Sequence, residues 1–195
     1  MNQRRVELER TTAETGIELI LNLDGEGTGE IETGIGFLDH LFTALCRHAR
    51  FDLRLTCRGD LQVDDHHTAE DCSLLLGSAI DQALGDRTGI TRFGYAYAPL
   101  DEALARAVVD LSGRPSPVVD LGLGRDRIGD LACENISHVI TSLAATARAA
   151  IHVDVLRGRN DHHRAEAAFK ALALALRSAV TLDRSDRIPS TKEVL

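Results

Sequence analysis

Tryptophan is absent from this 195-residue chain, and Phe, Tyr and Trp together make up only 4%. A core must therefore be assembled from Leu, Ile, Val and Ala. No apolar run approaches the ~20 residues that a membrane-spanning helix requires, so no membrane partner is expected. Positive charge is also scarce. Against 30 Asp and Glu stand 22 Lys and Arg, a net charge of −8. That balance argues against a nucleic-acid partner, whose affinity would come from neutralising phosphates. It leaves room for a small anionic substrate held by a few placed cations. Cys46, Cys57, Cys72 and Cys133 form no C-x-x-C pair, so they are expected as reduced, buried thiols. Met1-Asn2-Gln3-Arg4-Arg5 starts basic but has no apolar core or small-residue cleavage site. A cytoplasmic location is therefore expected. At 44% hydrophobic and 27% charged residues, the chain is too apolar to be disordered.

The chain does contain a repeat. HLFTALCRHAR at 40–50 returns as HVITSLAATAR at 138–148, and DHHTAE at 65–70 returns as DHHRAE at 161–166. ETGIELILNLDG at 14–25 aligns with EALARAVVDLSG at 102–113. Three collinear matches indicate a duplicated unit of about 90 residues. The halves are expected at 1–88 and 89–182, followed by a polar tail at 183–195. Strand-like alternation covers Glu7–Arg10, Ile17–Leu23, Leu53–Arg58, Tyr95–Pro99, Ala105–Leu111 and Ile151–Val155. Helical spacing covers Phe37–Arg50, His66–Leu84, Leu131–Ala149 and His162–Val180. Asp64-Asp65 and Asn160-Asp161 sit where N-caps belong, so each His-His pair opens a helix. This order is not strict βαβ alternation, which points to an α+β fold. The pseudo-symmetric arrangement places a central four-helix bundle between two flanking sheets.

Six of the eight histidines occupy matched positions: His40 with His138, His66 with His162, and His67 with His163. Glu70 and Glu166 complete two H-H-x-x-E segments. Adjacent histidines on a helix point roughly 100° apart, which disfavours both binding one ion. Two metals fit better, each taking one histidine of a pair. The count allows three nitrogens and one oxygen per ion, and the carboxylate moves the balance toward harder ions such as manganese. A lone His-His pair at a helix start is more often solvent-facing or capping, but the repetition favours a shared task. His152 has no repeat partner and reads as structural. His48, also unmatched, reads as a group behind the ligands or an acid–base group.

Several ordered segments resemble the imidazoleglycerol-phosphate dehydratase family of histidine biosynthesis. They are Arg10 to Thr15, Thr33 to His40, Asp64 to Asp71 (DDHHTAED), Arg92-Phe93-Gly94 and Leu100 to Leu104. Asp110 to Pro115, Gly158 to Lys170 and Pro189 to Lys192 continue the series. No D-x-D-G-T segment precedes them, which matches the monofunctional form. The resemblance implies a ribosomal-protein-S5-domain-2-like topology for each repeat. It further implies two Mn²⁺ per active site and a homo-oligomer of about 24 subunits with sites shared between them. Carried over by position, it makes His40, His66, His67, Glu70, His138, His162, His163 and Glu166 the metal ligands. Glu14 becomes the acid–base glutamate. Arg92, Arg114, Lys170, Ser190 and Lys192 become substrate or phosphate contacts, the last two lying in the tail. Ser116 and Glu193 depart from the family's usual aromatic and glycine.

The implied reaction removes water from imidazole glycerol phosphate to give imidazole acetol phosphate. The proton to be lost lies beside no carbonyl, so ordinary enolate chemistry is closed. Two Lewis-acidic ions flanking the ring would stabilise an imidazolate. That ring can expel the hydroxyl through a diazafulvene-like intermediate, and loss of the neighbouring C–H yields an enol. Two other classes compete on the H-H-x-x-E segments alone. One is a metal-dependent phosphohydrolase, and the other is a metal-storage bundle.

Overall fold

The computed structural model describes residues 4–183, 185 and 187–192. The first half runs β1 (Arg5–Thr11), β2 (Thr15–Asn22), β3 (Gly29–Glu32), α1 (Gly36–Ala49), β4 (Asp52–Gly59) and α2 (His66–Leu84). The second runs β5 (Phe93–Leu100), β6 (Ala103–Asp110), β7 (Ser116–Asp120), β8 (Arg127–Ile128) and β9 (Leu131–Ala132). It ends with α3 (Cys133–Thr146), β10 (Ala150–Arg157) and α4 (Asp161–Ala179). The sheets share one topology, β1-β2-β4-β3 and β5-β6-β10-β7, with the last strand of each added in parallel. Alternation sends Ile17, Leu19 and Leu21 of β2 inward, as it does Ala103, Ala105, Ala107 and Val109 of β6.

The helices lie between the sheets and pack across the halves, α1 against α4 and α2 against α3. The architecture is thus the expected α+β sandwich of two sheets around four helices. Small residues permit the tight packing. Ala165, Ala168, Ala171, Ala175 and Ala179 of α4 are all buried, with Phe169 and Leu172 among them. All four cysteines are buried and unpaired.

The edge strands β3 and β7 are absent from the sequence expectation. Gly29-Glu30-Ile31-Glu32 offers a single apolar residue, and Ser116-Pro117 opens β7 with a proline. Proline is tolerated there because edge strands do not need every N–H. Leu131-Ala132, expected as helix, instead pairs with Arg127-Ile128, so α3 begins two residues later. It also ends earlier than expected, because Arg148 turns left-handed at φ 52°. Its repeat counterpart Arg50 does the same at the end of α1, with φ 60°. The repeat therefore preserves a turn as well as a pattern.

Gly94 shows how closely strand and helix approach. A Cβ there would run into the backbone carbonyl of Ala175 and approach Ala179 N at 2.9 Å. Alanine normally costs a strand less entropy than glycine, but helix backbone cannot move aside as a side chain can. Gly94→Ala is expected to destabilise the fold by about 1–3 kcal/mol. A lowered thermal midpoint would register this, whereas an unchanged or raised midpoint would mean that α4 yields.

Candidate metal centre

Both His-His pairs open their helices as expected, but the caps divide their work differently. Asp64 Oδ1 accepts the His66 N–H at 2.8 Å, and Asn160 Oδ1 accepts that of His162 at 3.0 Å. Asp65 makes no side-chain cap for α2. Its buried carboxylate accepts from Ala132 N (2.7 Å), Asn135 Nδ2 (2.9 Å) and Arg127 Nη2 (3.0 Å). Asn135 Oδ1 then meets His66 Nδ1 at 2.9 Å. This relay fixes the His66 ring and leaves Nε2 on the side of Glu70.

Two repeat-related clusters form where helices of opposite halves meet. On α2 and α3, Glu70 Oε1 lies 3.0 Å from His138 Nε2, and Glu70 Oε2 lies 3.9 Å from His66 Nε2. On α1 and α4, Glu166 Oε2 lies 2.9 Å from His40 Nε2 and 3.2 Å from His162 Nε2. In each trio the donor atoms fall within 4.8 Å of one another. Two imidazoles and a carboxylate around one point suit a divalent transition ion. The clusters are not identical. Lys170 Nζ holds Glu166 Oε1 at 2.8 Å, whereas its repeat position beside Glu70 is Leu74. Burial opposes the Glu166 charge, but hydrogen bonds from Lys170 and His40 prevail and bring its pKa down to about 2.

His67 and His163 join neither trio, so each chain brings together six of the eight expected ligands. The rings diverge from their neighbours, at 73° between His66 and His67 and 86° between His162 and His163. His67 Nδ1 meets Asp60 Oδ2 at 3.0 Å, and His163 Nδ1 meets Glu102 Oε2 at 2.8 Å. The Asp60 hydrogen bond, outweighing desolvation, raises the His67 pKa. Glu14 stands on the open side of His67, with Oε1 3.6 Å from Nε2 and its side chain 52% exposed. The turn carrying it is tightly built. Thr12 Oγ1 accepts the N–H groups of Glu14 and Thr15 at 3.1 and 2.9 Å. Asp71 on α2 then accepts from Thr15 Oγ1 (2.6 Å) and Arg10 Nη2 (3.0 Å). These bonds moor the segment Arg10 to Thr15 beside the start of α2.

The expected substrate cations fall into two groups. Arg92 grips Asp110 with Nε at 2.7 Å and Nη2 at 3.1 Å, and donates from Nη1 to the Pro189 carbonyl at 2.7 Å. It thereby holds the tail just before Ser190, whose Oγ accepts the Lys192 N–H at 3.2 Å. Arg114 follows β6 at the same end, and Gly113 beside it takes the Arg148 side chain at 3.3 Å. The Arg92 amide bonds to Ala179 at the far end of α4. From Glu166 to Ala179 the helix rises ~20 Å at ~1.5 Å per residue. Lys170 belongs to the other group, one turn beyond Glu166. His48, two turns beyond His40, has its pKa lowered by burial and by the Lys170 charge. His152 is exposed on the outer face of the second sheet, away from both trios. Glu193 lies outside the described residues. Asp60, Asn135 and Glu102 were missed in the sequence, although Glu102 was already visible as the repeat match of Glu14.

A model of the family described as imidazoleglycerol-phosphate dehydratase matches residues 33–176. The imidazoleglycerol-phosphate dehydratase of Candida glabrata is 53% identical, covering 96% of this chain and 98% of its own length. A relative of the same description from Phytophthora nicotianae is 57% identical over 98% of this chain, which spans only 42% of that longer protein. The crystal structure of the Pyrococcus furiosus enzyme superposes with a TM-score of 0.83 at 38% identity. It covers 96% of this chain and 100% of its own. With the family model matching most of the chain and the fold coinciding end to end, the chain belongs to the imidazoleglycerol-phosphate dehydratase family of hydro-lyases.

Proposed function

We propose that the chain dehydrates D-erythro-imidazole glycerol phosphate to imidazole acetol phosphate in the cytoplasm, as a homo-oligomer with two Mn²⁺ per active site. The observation that carries this reading is the pair of His-His-Glu trios, each accompanied by a histidine turned outward. His40, His162 and Glu166 would hold one ion, and His66, His138 and Glu70 the other. His163 and His67 would each complete a site of a neighbouring subunit. When bound, the ions supply Lewis acidity to the substrate's ring nitrogens.

The chain's own residues then divide the remaining work. Arg92, Arg114, Ser190 and Lys192 bind the phosphate and fix the remote end of the substrate. Lys170 orients Glu166 and adds charge beside the ring. His48, whose neutral form is favoured, is available as a proton acceptor behind Lys170. Glu14 carries the ring N–H proton to the departing hydroxyl, which leaves as water and gives a diazafulvene-like intermediate. It then takes the neighbouring C–H proton, forming the enol, and delivers it to the carbon beside the ring while the enol O–H proton returns to the ring, giving the ketone.

Two features support an assembly of about 24 subunits with shared sites. The ~20 Å between Glu166 and the Arg92 end of α4 is too far for one small substrate to bridge within a chain. The outer face of the second sheet also carries exposed Phe93, Tyr95, Tyr97, Val108 and Val118, an apolar patch of the kind that marks interfaces. Incubation with the substrate and manganese is expected to yield imidazole acetol phosphate. Release of inorganic phosphate would turn the reading to a phosphohydrolase, and no product with full metal loading would turn it to storage.

A further inference from the structure

The two outward histidines are supported by carboxylates that do not correspond in the repeat. Asp60 follows β4 directly, and the matching residue after β10 is Gly158, which has no side chain. In the second half the task falls to Glu102, at the start of β6, where the first half has Glu14 at the start of β2. Glu102 is fully engaged. Its Oε2 meets His163 Nδ1 at 2.8 Å, while Oε1 accepts the N–H groups of Arg159 at 2.9 Å and Asn160 at 2.8 Å. Among the described residues Glu14 makes no such bonds through its carboxylate and only approaches the far side of His67, at 3.6 Å. The Asp60 carboxylate bonds to nothing but His67 Nδ1 among the described residues.

A carboxylate on one ring nitrogen fixes the proton there, leaves the other nitrogen with a free lone pair, and increases its strength as a ligand. We infer that Asp60 and Glu102 are positioning residues that hold His67 and His163 with Nδ1 protonated and Nε2 presented to a divalent ion. By taking this task in the first half, Asp60 leaves Glu14 free to carry protons. The inference rests on the metal reading above. It explains how Glu14 stays uncommitted while its repeat match Glu102 is engaged; in the second half the acid facing His163 Nε2 is instead the exposed Asp101, with Oδ2 at 3.7 Å.

Asp60 is the cleaner test, because Glu102 also ties down the backbone ahead of α4 and its loss can unfold that loop. Manganese retention by the assembled holoprotein, followed by competition with a chelator, is expected to weaken about 10–100-fold at half the sites in Asp60→Ala. Asp60→Asn keeps an acceptor oxygen for Nδ1–H and should restore most of that loss. Histidine ¹⁵N spectra of metal-free protein should show His67 as the Nδ1–H tautomer in wild type and Asp60→Asn, and as a mixture in Asp60→Ala. Wild-type affinity and an unchanged tautomer in Asp60→Ala would overturn the inference, as would an Asn variant no better than Ala. A wild-type protein that takes up no manganese would end the metal reading itself, and the tautomer spectra would still decide what Asp60 does.

Discussion

Replacing Glu14 with Gln is expected to lower kcat by about 10²–10⁴-fold, the usual contribution of a positioned proton carrier. Gln has the same shape, and the backbone bonds that form the turn come from Thr12 and Thr15 rather than from the Glu14 carboxylate. The side chain is half exposed and belongs to neither trio. KM and metal content should therefore stay close to wild type while kcat and kcat/KM fall together. That pattern marks an interaction made only in the transition state. If the variant lost manganese, Glu14 would be a ligand or a structural support, and its proposed role would fail.

Removing the metal should abolish activity and dissociate the particle in the same step. If His67 and His163 reach into neighbouring sites, each ion is a bond between subunits, and whatever binds only the assembled state stabilises it by mass action. Chelation withdraws those bonds. Acidification does the same, because histidine must be neutral to coordinate and its ordinary pKa is about 6.5. Because the Asp60 hydrogen bond raises the His67 pKa above that value, stability of the assembly is expected at pH above the raised pKa and is lost as pH falls through it. Manganese returned near neutral pH should restore sedimentation and turnover together. A dissociated chain with full turnover would disprove shared sites, and an intact, active metal-free particle would disprove the metal reading.

The parts of the structure legible in sequence were those written in periodicity and repetition. α2 falls on His66–Leu84 as its spacing predicts, and the ligand trios combine residues matched between the halves. Features governed by the third dimension were not legible. β3 and β7 are edge strands whose pairing comes from a neighbour, so Gly29–Glu32 and Ser116–Asp120 show little pattern of their own. Asp65 looks like a cap in one dimension, but the approach of Ala132 and Asn135 from the other half recruits it into the His66 relay. The separation of Arg92 from Glu166 was hidden for a similar reason. Motif order along a chain says nothing about which end of a helix each motif reaches.

Because α1 packs on α4 and α2 on α3, neither half owns a trio: each supplies one histidine to one cluster and a histidine and glutamate to the other. Two identical units packed in this way would be obliged to carry two identical sites, since every substitution would appear in both. Joining them in one polypeptide removes that obligation. Lys170 now braces Glu166 while Leu74 leaves Glu70 without such a brace, and Asp60 is answered by Gly158. The duplicated chain keeps the geometry of a symmetric pair and has acquired the freedom to give its two ions different surroundings.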